Sequence, residues 1–424
     1  MRREAVGHTP QRARSASVFV NINMNDPDRL KWPFYVLKLP QFSLSPMKLI
    51  NCNGGTGFGV KFTQSSVQAD YIYDTDRHGE EYGLVFPFTE IFLNGNAILM
   101  DYINLGKKPT ENPKSLQVLE ILLSFITHIE EAAKALQPVE KQSSSEGKDG
   151  ASESDWLARL AVHFLSPLSL TQEYILDKQS SKMCQECPCR CSCKKVITYG
   201  NTSIGHPRTW YGHFDILMGK FGNEKGKVTE VNVGATEVPM ETEDKSDTIF
   251  EFDEKLSDEC PSQIEEEIDQ LHSRFSQLIS QTIVLSFYQK KYEPSLTLVP
   301  SIGVSESHIQ FNFYDCERDV YLLSREMSLF YDDDKKGLNL STVIATWLVL
   351  NHKHLISGTS EEMREEKFGF HSKISKEILH LFKHDIEMGW TMFKPYIFQD
   401  NILLKRYKVL SKDPDVVDAK YPKT

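Results

Sequence analysis

The sequence predicts a mixed α/β protein with more than one hydrophobic core. Its 424 residues are 40% hydrophobic and 11% aromatic, which is enough apolar material for two or three domains. Short segments of alternating polar and apolar residues indicate β-strands, and segments with apolar residues every three or four positions indicate amphipathic helices. No window approaches the roughly 20 uninterrupted apolar residues of a membrane-spanning helix. We therefore expect no contact with the membrane interior.

The first 16 residues contain four arginines and one glutamate. This segment lacks the apolar stretch of a secretory signal peptide. An organellar transit peptide is the alternative to a solvated basic tail, but a strand-like segment at residues 18–22 follows at once. We expect an intracellular protein, cytoplasmic or nuclear, and a disordered tail at residues 1–16.

Residues 17–137 are predicted to form a β-rich N-terminal domain that ends in an amphipathic helix. Asn94-Gly95 has the composition of a type I′ hairpin turn. Asn112 and Pro113 have the residue types of a helix N-cap and first position, and apolar residues then recur on one face as far as residue 136. The strand candidates are residues 33–39, 47–51, 58–63, 70–73 and 82–86.

Two polar segments divide the rest of the chain. Residues 138–154 are rich in Ser, Gly and charge and are predicted to be a flexible linker. Residues 155–325 then form a second domain, interrupted by an acidic, disordered insertion at 237–261. Residues 326–424 are predicted to be a helical extension, with a helix at 341–350 capped by Ser341, and a polar tail.

The second domain has an informative order of elements. Its predicted helices are 155–165, 168–178 and 264–290. Its predicted strands are 196–199, 210–218, 227–233, 308–314 and 319–323. The order is thus helix, three strands, helix, strand.

Two acidic residues lie on neighbouring predicted strands of this domain. Asp215 belongs to the predicted strand at 210–218, and Glu230 belongs to the next predicted strand, at 227–233. Because alternate residues of a strand share a face, the two carboxylates can converge on one hard cation such as Mg²⁺.

This pattern resembles the PD-(D/E)XK, restriction-endonuclease-like nuclease superfamily over about residues 155–323. The resemblance implies an αβββαβ core in which Asp215 and Glu230 hold magnesium. The metal would activate a water for attack on a phosphodiester, assisted by a lysine two positions after the second acid. Asn232 occupies that catalytic lysine position here. Activity would therefore need a lysine from elsewhere, for which the candidates are Lys227, Lys290 and Lys291.

Five of the eight cysteines lie within ten residues: Cys184, Cys187, Cys189, Cys191 and Cys193. Such close spacing does not suit a disulfide framework and indicates a reducing compartment. Four of these thiolates, or fewer together with His206, could hold zinc in a tetrahedral site. Redox-sensitive thiols and a solvated reduced loop are the alternatives.

The charge distribution bears on the partner. Residues 224–269 contain sixteen acidic and four basic residues, so the rest of the chain is near neutral although the whole carries a net charge of -11. An acidic insertion beside the candidate site repels phosphates. We therefore favour a non-catalytic interaction scaffold that contacts another protein. A magnesium-dependent nuclease, or another protein that processes nucleic acid, is the alternative.

Overall fold

The computed structural model describes residues 27–75, 81–106, 108–109, 112–137, 153–178, 184–189, 191, 193–220, 229–235, 261–331 and 337–389. The predicted basic tail, most of the linker, the acidic insertion up to residue 260 and the C-terminal tail lie outside these residues. Helices and strands are both abundant, so the mixed α/β class is confirmed.

The helices in chain order are α1 (Asp28–Val36), α2 (Leu93–Leu105), α3 (Pro113–Thr127), α4 (Ile129–Leu136), α5 (Glu153–Leu160), α6 (Ser166–Leu168), α7 (Pro261–Tyr292), α8 (Leu340–Leu350), α9 (His352–Leu355), α10 (Glu361–Glu365), α11 (Phe370–Lys373) and α12 (Lys376–His384). Short 3-10 helices span Pro40–Phe42, Phe62–Gln64 and Phe88–Phe92, and a π-helical turn spans Ala161–Leu165.

The strands are β1 (Ser43–Cys52), β2 (Val60–Lys61), β3 (Val67–Tyr71), β4 (Tyr73–Thr75), β5 (Glu81–Gly83), β6 (Phe86–Pro87), β7 (Tyr174–Asp177), β8 (Tyr199–Gly200), β9 (Ser203–Gly205), β10 (Trp210–His213), β11 (Ile216–Gly219), β12 (Thr229–Ala235), β13 (Val299–Val304), β14 (His308–Asp315), β15 (Val320–Ser324), β16 (Met327–Ser328) and β17 (Glu387–Met388).

One large mixed sheet organises the molecule. Its order is β3-β1-β15-β14-β13-β12-β11-β7-β8, with β6 on β1 and β16 on β14. β11 is antiparallel to both β7 and β12, whereas β13 runs parallel to β12. The long helix α7 lies between β12 and β13 in the chain and packs on both. It provides the crossover that a parallel pair needs.

The two faces of this sheet differ in polarity. The buried apolar residues form two clusters, which we call the first core and the second core. One row across β11 to β14 is fully buried in the first core and consists of Ile216, Val233, Ile302 and Phe311. The adjacent row, on the α7 face, consists of Leu217, Asn232, Ser301 and Asn312, also fully buried. The α7 face therefore carries a polar row inside an otherwise apolar second core.

A smaller sheet, in the order β17-β9-β10-β2, covers one end of α7. Its centre is Trp210, which stacks on Phe370 at 5.5 Å and donates from Nε1 to Asn53 Oδ1 at 2.9 Å. Gly54 lies against the indole, where a Cβ would come within 2.6 Å of it. The glycine-rich turn after β1 thus allows the backbone to approach this tryptophan closely.

Two N-terminal predictions are wrong. Asn94-Gly95 lies inside α2 and is not a hairpin turn; a Cβ at Gly95 would lie 2.5 Å from Leu348, so this glycine permits close helix packing. Residues 33–36 complete α1, because Leu30 and Phe34 are buried against α8. The predicted helix after Asn112 is present, but it breaks between α3 and α4.

Two predictions in the second domain and one in the C-terminal extension also need correction. The segment predicted as a strand at 210–218 divides into β10 and β11, which belong to different sheets. The segment predicted as helical at 168–178 contains β7, which pairs with β11. Strand β13 was not predicted. The cap of α8 is Asn339, whose side chain accepts from Ser341 N, so Ser341 lies inside the first turn.

Candidate metal centre

His163 lies in the π-helical turn between α5 and α6. Pro167 has no N–H and so cannot donate to the carbonyl of His163, four residues earlier. Ser166 N donates to Ala161 O, which is five residues earlier and not four as in an α-helix. Turns of this kind inside α-helices are frequent at functional sites. Here the turn directs the imidazole toward the cysteines.

Residues 184–196, which we call the cysteine loop, fold back on themselves. Glu186 and Val196 form an antiparallel bridge, and Cys187 N donates to Lys195 O at 2.8 Å. Lys195 N also lies 3.5 Å from Cys193 Sγ and donates to it. A backbone N–H directed at a thiolate stabilises its negative charge and fixes its position, as the outer shell of a metal site does.

Four side chains form the group of potential metal ligands within the described part of the chain: His163, Cys187, Cys189 and Cys193. Their ligand atoms all lie within 4.8 Å of one another. Three thiolates and one imidazole are a donor set that structural zinc sites use. The arrangement joins a helix of the first core to a loop that is distant in sequence.

The distances in this group are close to those of a tetrahedral zinc site. Zinc bonds of about 2.3 Å to sulfur and 2.0 Å to nitrogen imply contacts of about 3.6 Å between sulfur and nitrogen and about 3.8 Å between two sulfurs. His163 Nε2 lies 3.6 Å from both Cys191 Sγ and Cys193 Sγ. Cys189 Sγ lies 3.4 Å from Cys193 Sγ and 2.7 Å from Cys191 Sγ. Within the group, the Cys189 and Cys193 thiols therefore need to separate by about 0.4 Å to accept the ion, whereas Cys191, outside the group, lies about 1.1 Å too close to Cys189.

The electrostatics of the group suit metal binding. Burial, with smaller contributions from Lys195 and Arg159, lowers the pKa of His163 to about 4, so the imidazole is neutral at pH 7 and its nitrogen can bind a cation. Burial alone would raise the pKa of Cys189, but hydrogen bonds with Cys191 and Cys193 outweigh it and lower that pKa to about 7. One thiolate is therefore readily available before any metal binds.

Arg159 lies on α5, one turn before His163, and is 3% exposed. It donates to Gln137 O at 2.7 Å and to Asp155 O at 3.3 Å, and it lies over the Trp156 ring at 5.6 Å. Burial lowers its pKa, while Asp155 and Cys187 oppose that shift. A fixed cation here offsets the negative charge that three thiolates leave on a bound Zn²⁺.

The sequence missed His163 and pointed to His206. His206 is not part of the described ligand group; its Nδ1 accepts from Arg208 N at 3.2 Å. Cys184 and Cys191 also lie outside the group of four, and Cys184 Sγ contacts Asp155 Oδ1 at 3.7 Å. The signal that could have found His163 is the proline four residues later, which perturbs the helix at the histidine.

The second predicted site lies on the α7 face of the large sheet. Asp215 immediately precedes β11, and a Cβ at Gly234 would lie 3.7 Å from Asp215 Oδ2 and 3.3 Å from Gln281 Oε1. His213 Nδ1 lies 3.2 Å from Asp177 Oδ1 and the two form an ion pair when the histidine is protonated. Asp215 thus belongs to a half-buried polar cluster at the end of β11.

Glu230 lies on β12, four residues before Gly234. That separation is about 13 Å along a strand, and the side chain of Glu230 is outside the described residues. Convergence of the two acids on one cation therefore stays a prediction. Asn232, between Glu230 and Gly234 on the strand, is fully buried, and neither of its side-chain amide atoms has a hydrogen-bond partner among the described residues.

The candidate replacement lysines have other contacts. Lys290 donates to Leu296 O at 2.8 Å and pairs with Glu317 at 2.8 Å. Lys291 donates to Ile386 O at 3.3 Å. Both lie at the end of α7, more than two helical turns beyond Gln281. Lys227 is outside the described residues.

A cleft of about 620 Å³ opens beside the cysteine loop. Helices α3 and α4 form one wall, and His163, Cys191, Cys193 and Lys195 belong to the opposite wall. Cys191 is exposed, whereas Cys187 is buried. The ligand group is thus accessible from this side.

The chain was compared with family models, with curated proteins and with solved structures. None of the three comparisons found a match. No helix among the described residues is both long and apolar enough to cross a membrane.

Proposed function

We propose that this chain is a non-catalytic interaction scaffold with a degenerate nuclease-like core, and that zinc bound at the cysteine loop stabilises it. The observation that carries the proposal is Asn232. It occupies the position at which the PD-(D/E)XK pattern requires lysine, and it is fully buried beneath α7.

The strand pairing supports a nuclease-like core. α5 is followed by the antiparallel strands β7, β11 and β12, then by the crossover helix α7 and by β13 parallel to β12. With α6 and strands β8, β9 and β10 left aside, this succession supports the αβββαβ order that the resemblance implies. In this proposed core the first strand is β7 and the last is β13. The sequence had predicted residues 196–199 and 308–314 for these two positions.

The environment of Asn232 argues against phosphodiester chemistry. An amide has no positive charge with which to stabilise a pentacoordinate phosphate, and a fully buried position cannot touch a polymeric substrate. Ser301 on the neighbouring strand and Asn312 on the next are equally buried, and within the part of the chain that the structure describes the Ser301 hydroxyl also has no hydrogen-bond partner. These side chains are buried between the sheet and α7. An active site at this position would need an opening to solvent.

Exposed tyrosines support a protein partner. Tyr71, Tyr73 and Tyr82, on β3, β4 and β5, are 46%, 54% and 47% exposed. Aromatic side chains are enriched at protein interfaces relative to the rest of the surface. These strands lie at the β3 edge of the large sheet or form the adjoining hairpin.

The zinc proposal rests on the donor set and its spacing. A Cys₃His group within 4.8 Å, with nitrogen to sulfur contacts at the tetrahedral value, fits Zn²⁺ better than Mg²⁺, which prefers oxygen ligands. When bound, the metal would supply a rigid cross-link between α5 and the cysteine loop. It supplies no chemistry to a substrate in this proposal.

The test of the scaffold proposal is titration of Mg²⁺ or Mn²⁺ into the full chain by calorimetry, with cleavage assays on labelled single- and double-stranded DNA and on RNA. We expect no saturable binding at Asp215 and no cleavage. Asp215→Ala and Glu230→Ala are compared with Asp101→Ala, which removes an exposed carboxylate on α2. Cleavage that both site variants abolish and the control retains would establish the nuclease alternative instead.

A further inference from the structure

We propose that Cys191 is an interchangeable ligand of the zinc centre, through which the metal enters and leaves by way of the cleft. This proposal depends on the zinc centre proposed above. It adds that the centre has two overlapping ligand sets and that the metal can move between them.

Two sets of four ligands share three members. His163, Cys189 and Cys193 are common to both, and either Cys187 or Cys191 completes the tetrahedron. Cys187 completes the group within 4.8 Å. Cys191 Sγ lies 3.6 Å from His163 Nε2, the contact expected for two ligands of one zinc ion, but it lies 2.7 Å from Cys189 Sγ, so these two sulfurs must separate by about 1.1 Å before both bind the metal.

The two alternative ligands differ in their exposure. Cys187 is 8% exposed and belongs to the first core, which shields its side of the metal. Cys191 is exposed and lines the cleft of about 620 Å³. A metal held through Cys187 is therefore protected, whereas a metal held through Cys191 is open to an external chelator.

The exchange between the two sets conserves bonds and charge. The Cys191 sulfur binds the metal and gives up its proton, the bond from the metal to the Cys187 sulfur breaks, and Cys187 takes up a proton. Zinc keeps four ligands and three thiolates throughout. The reaction needs no oxidant, so it differs from disulfide formation.

The charge of the cleft suits a small anionic acceptor or donor of zinc. Lys134 and Lys195 line the cleft, and Glu131 also lines it, one turn before Lys134 on α4. The two ammonium groups can pair with the carboxylates of a small chelator on the side where Cys191 is exposed. The acceptor would be a low-molecular-mass anionic chelator, because a cleft of this size excludes a folded protein.

The experiment compares Cys187→Ser, Cys191→Ser and the double variant in the full chain, kept reduced and loaded with zinc. Cys184→Ser is the matched control, because Cys184 belongs to the same loop but lies outside the ligand group. Zinc per chain is measured by elemental analysis, and the rate of transfer to a coloured anionic chelator is followed by absorbance. Cobalt substitution reports the number of thiolates from the sulfur-to-metal charge-transfer intensity, which also checks that each variant retains a tetrahedral site.

We expect one zinc and three thiolates in each single variant, and loss of tight binding in the double variant. Cys191→Ser should slow transfer to the chelator about tenfold or more, and Cys187→Ser should accelerate it. Loss of zinc from Cys187→Ser alone, or a rate for Cys191→Ser equal to wild type, would overturn the exchange. Absence of zinc from the wild-type chain would instead overturn the proposed centre itself.

Discussion

The cysteine loop and the strands β11 and β12 were both candidate metal sites, and their ligands are brought together in different ways. In the loop, a bridge between its two ends holds three thiols near one another, and a single helix supplies His163. In the strands, the position of each acid depends on the register, which places Asp215 beside Gly234 and leaves Glu230 four residues away. Close spacing in the sequence brings thiols together locally, whereas convergence of Asp215 and Glu230 on one cation stays a prediction.

The largest effect should come from removing the metal from the cysteine loop. A ligand that binds only the folded state at 1,000 times its Kd stabilises it by about 4 kcal/mol. We expect a chelator, or His163→Ala, to lower the free energy of unfolding in urea by about this amount.

His206→Ala is the control, because His206 is half-buried but not in the ligand group. This variant should retain the full zinc-dependent increment of stability. Identical urea curves for wild-type protein with and without chelator would contradict the prediction.

Asn232 gives an effect of opposite sign. Its amide is buried and has no hydrogen-bond partner in the described ranges, and Leu217 lies directly opposite on β11. Replacing such a group by an apolar side chain of similar volume removes a desolvation penalty. We expect Asn232→Leu to stabilise the fold by about 1 to 3 kcal/mol without changing the zinc content.

The matched control is Val233→Asn, which places an amide on the apolar face of the same strand. It should destabilise the fold by about 2 kcal/mol or more. If Asn232→Leu is destabilising, the asparagine has a partner in solution and the α7 face holds a polar group essential to the fold. Both values come from denaturant titrations of the full chain.

The smallest effect is expected beside Asp215. His213→Ala removes the 3.2 Å contact with Asp177, while the bond from Gln281 to the His213 carbonyl stays. A single half-buried hydrogen bond contributes about 1 kcal/mol. If His213→Ala lowers the free energy of unfolding by much more than this value and also abolishes divalent cation binding, the cluster is a functional site and not only a structural one.

The sequence predicted the α/β class and the cysteine cluster because both depend on local pattern. The N-cap at Asn112 is another success, since its side chain accepts from Lys114 N and Ser115 N. Local pattern failed where tertiary contacts decide. The Asn-Gly pair at 94–95 has turn composition, but close packing of Gly95 on Leu348 favours a helix.

The division of residues 210–218 into two strands also has a tertiary cause. Gly212 has a φ of 156° and lies against Phe62. Strand β10, which contains Gly212, belongs to the small sheet, whereas β11, which follows Asp215, belongs to the large sheet. Nothing in the alternation of side chains indicates this change of sheet. His163 was missed for a similar reason, since its partners are more than twenty residues away in the sequence.

The pairing of β1 with β15 determines how the molecule can be divided experimentally. Leu44 pairs with Ser324 and Pro46 with Leu322, so a segment from the first fifty residues completes the sheet whose strands β11 and β12 hold the second candidate site. A fragment that begins at residue 153 would contain every proposed ligand but would expose β15 as a bare edge. Open strand edges template aggregation, so recombinant work on either site should start from the full chain.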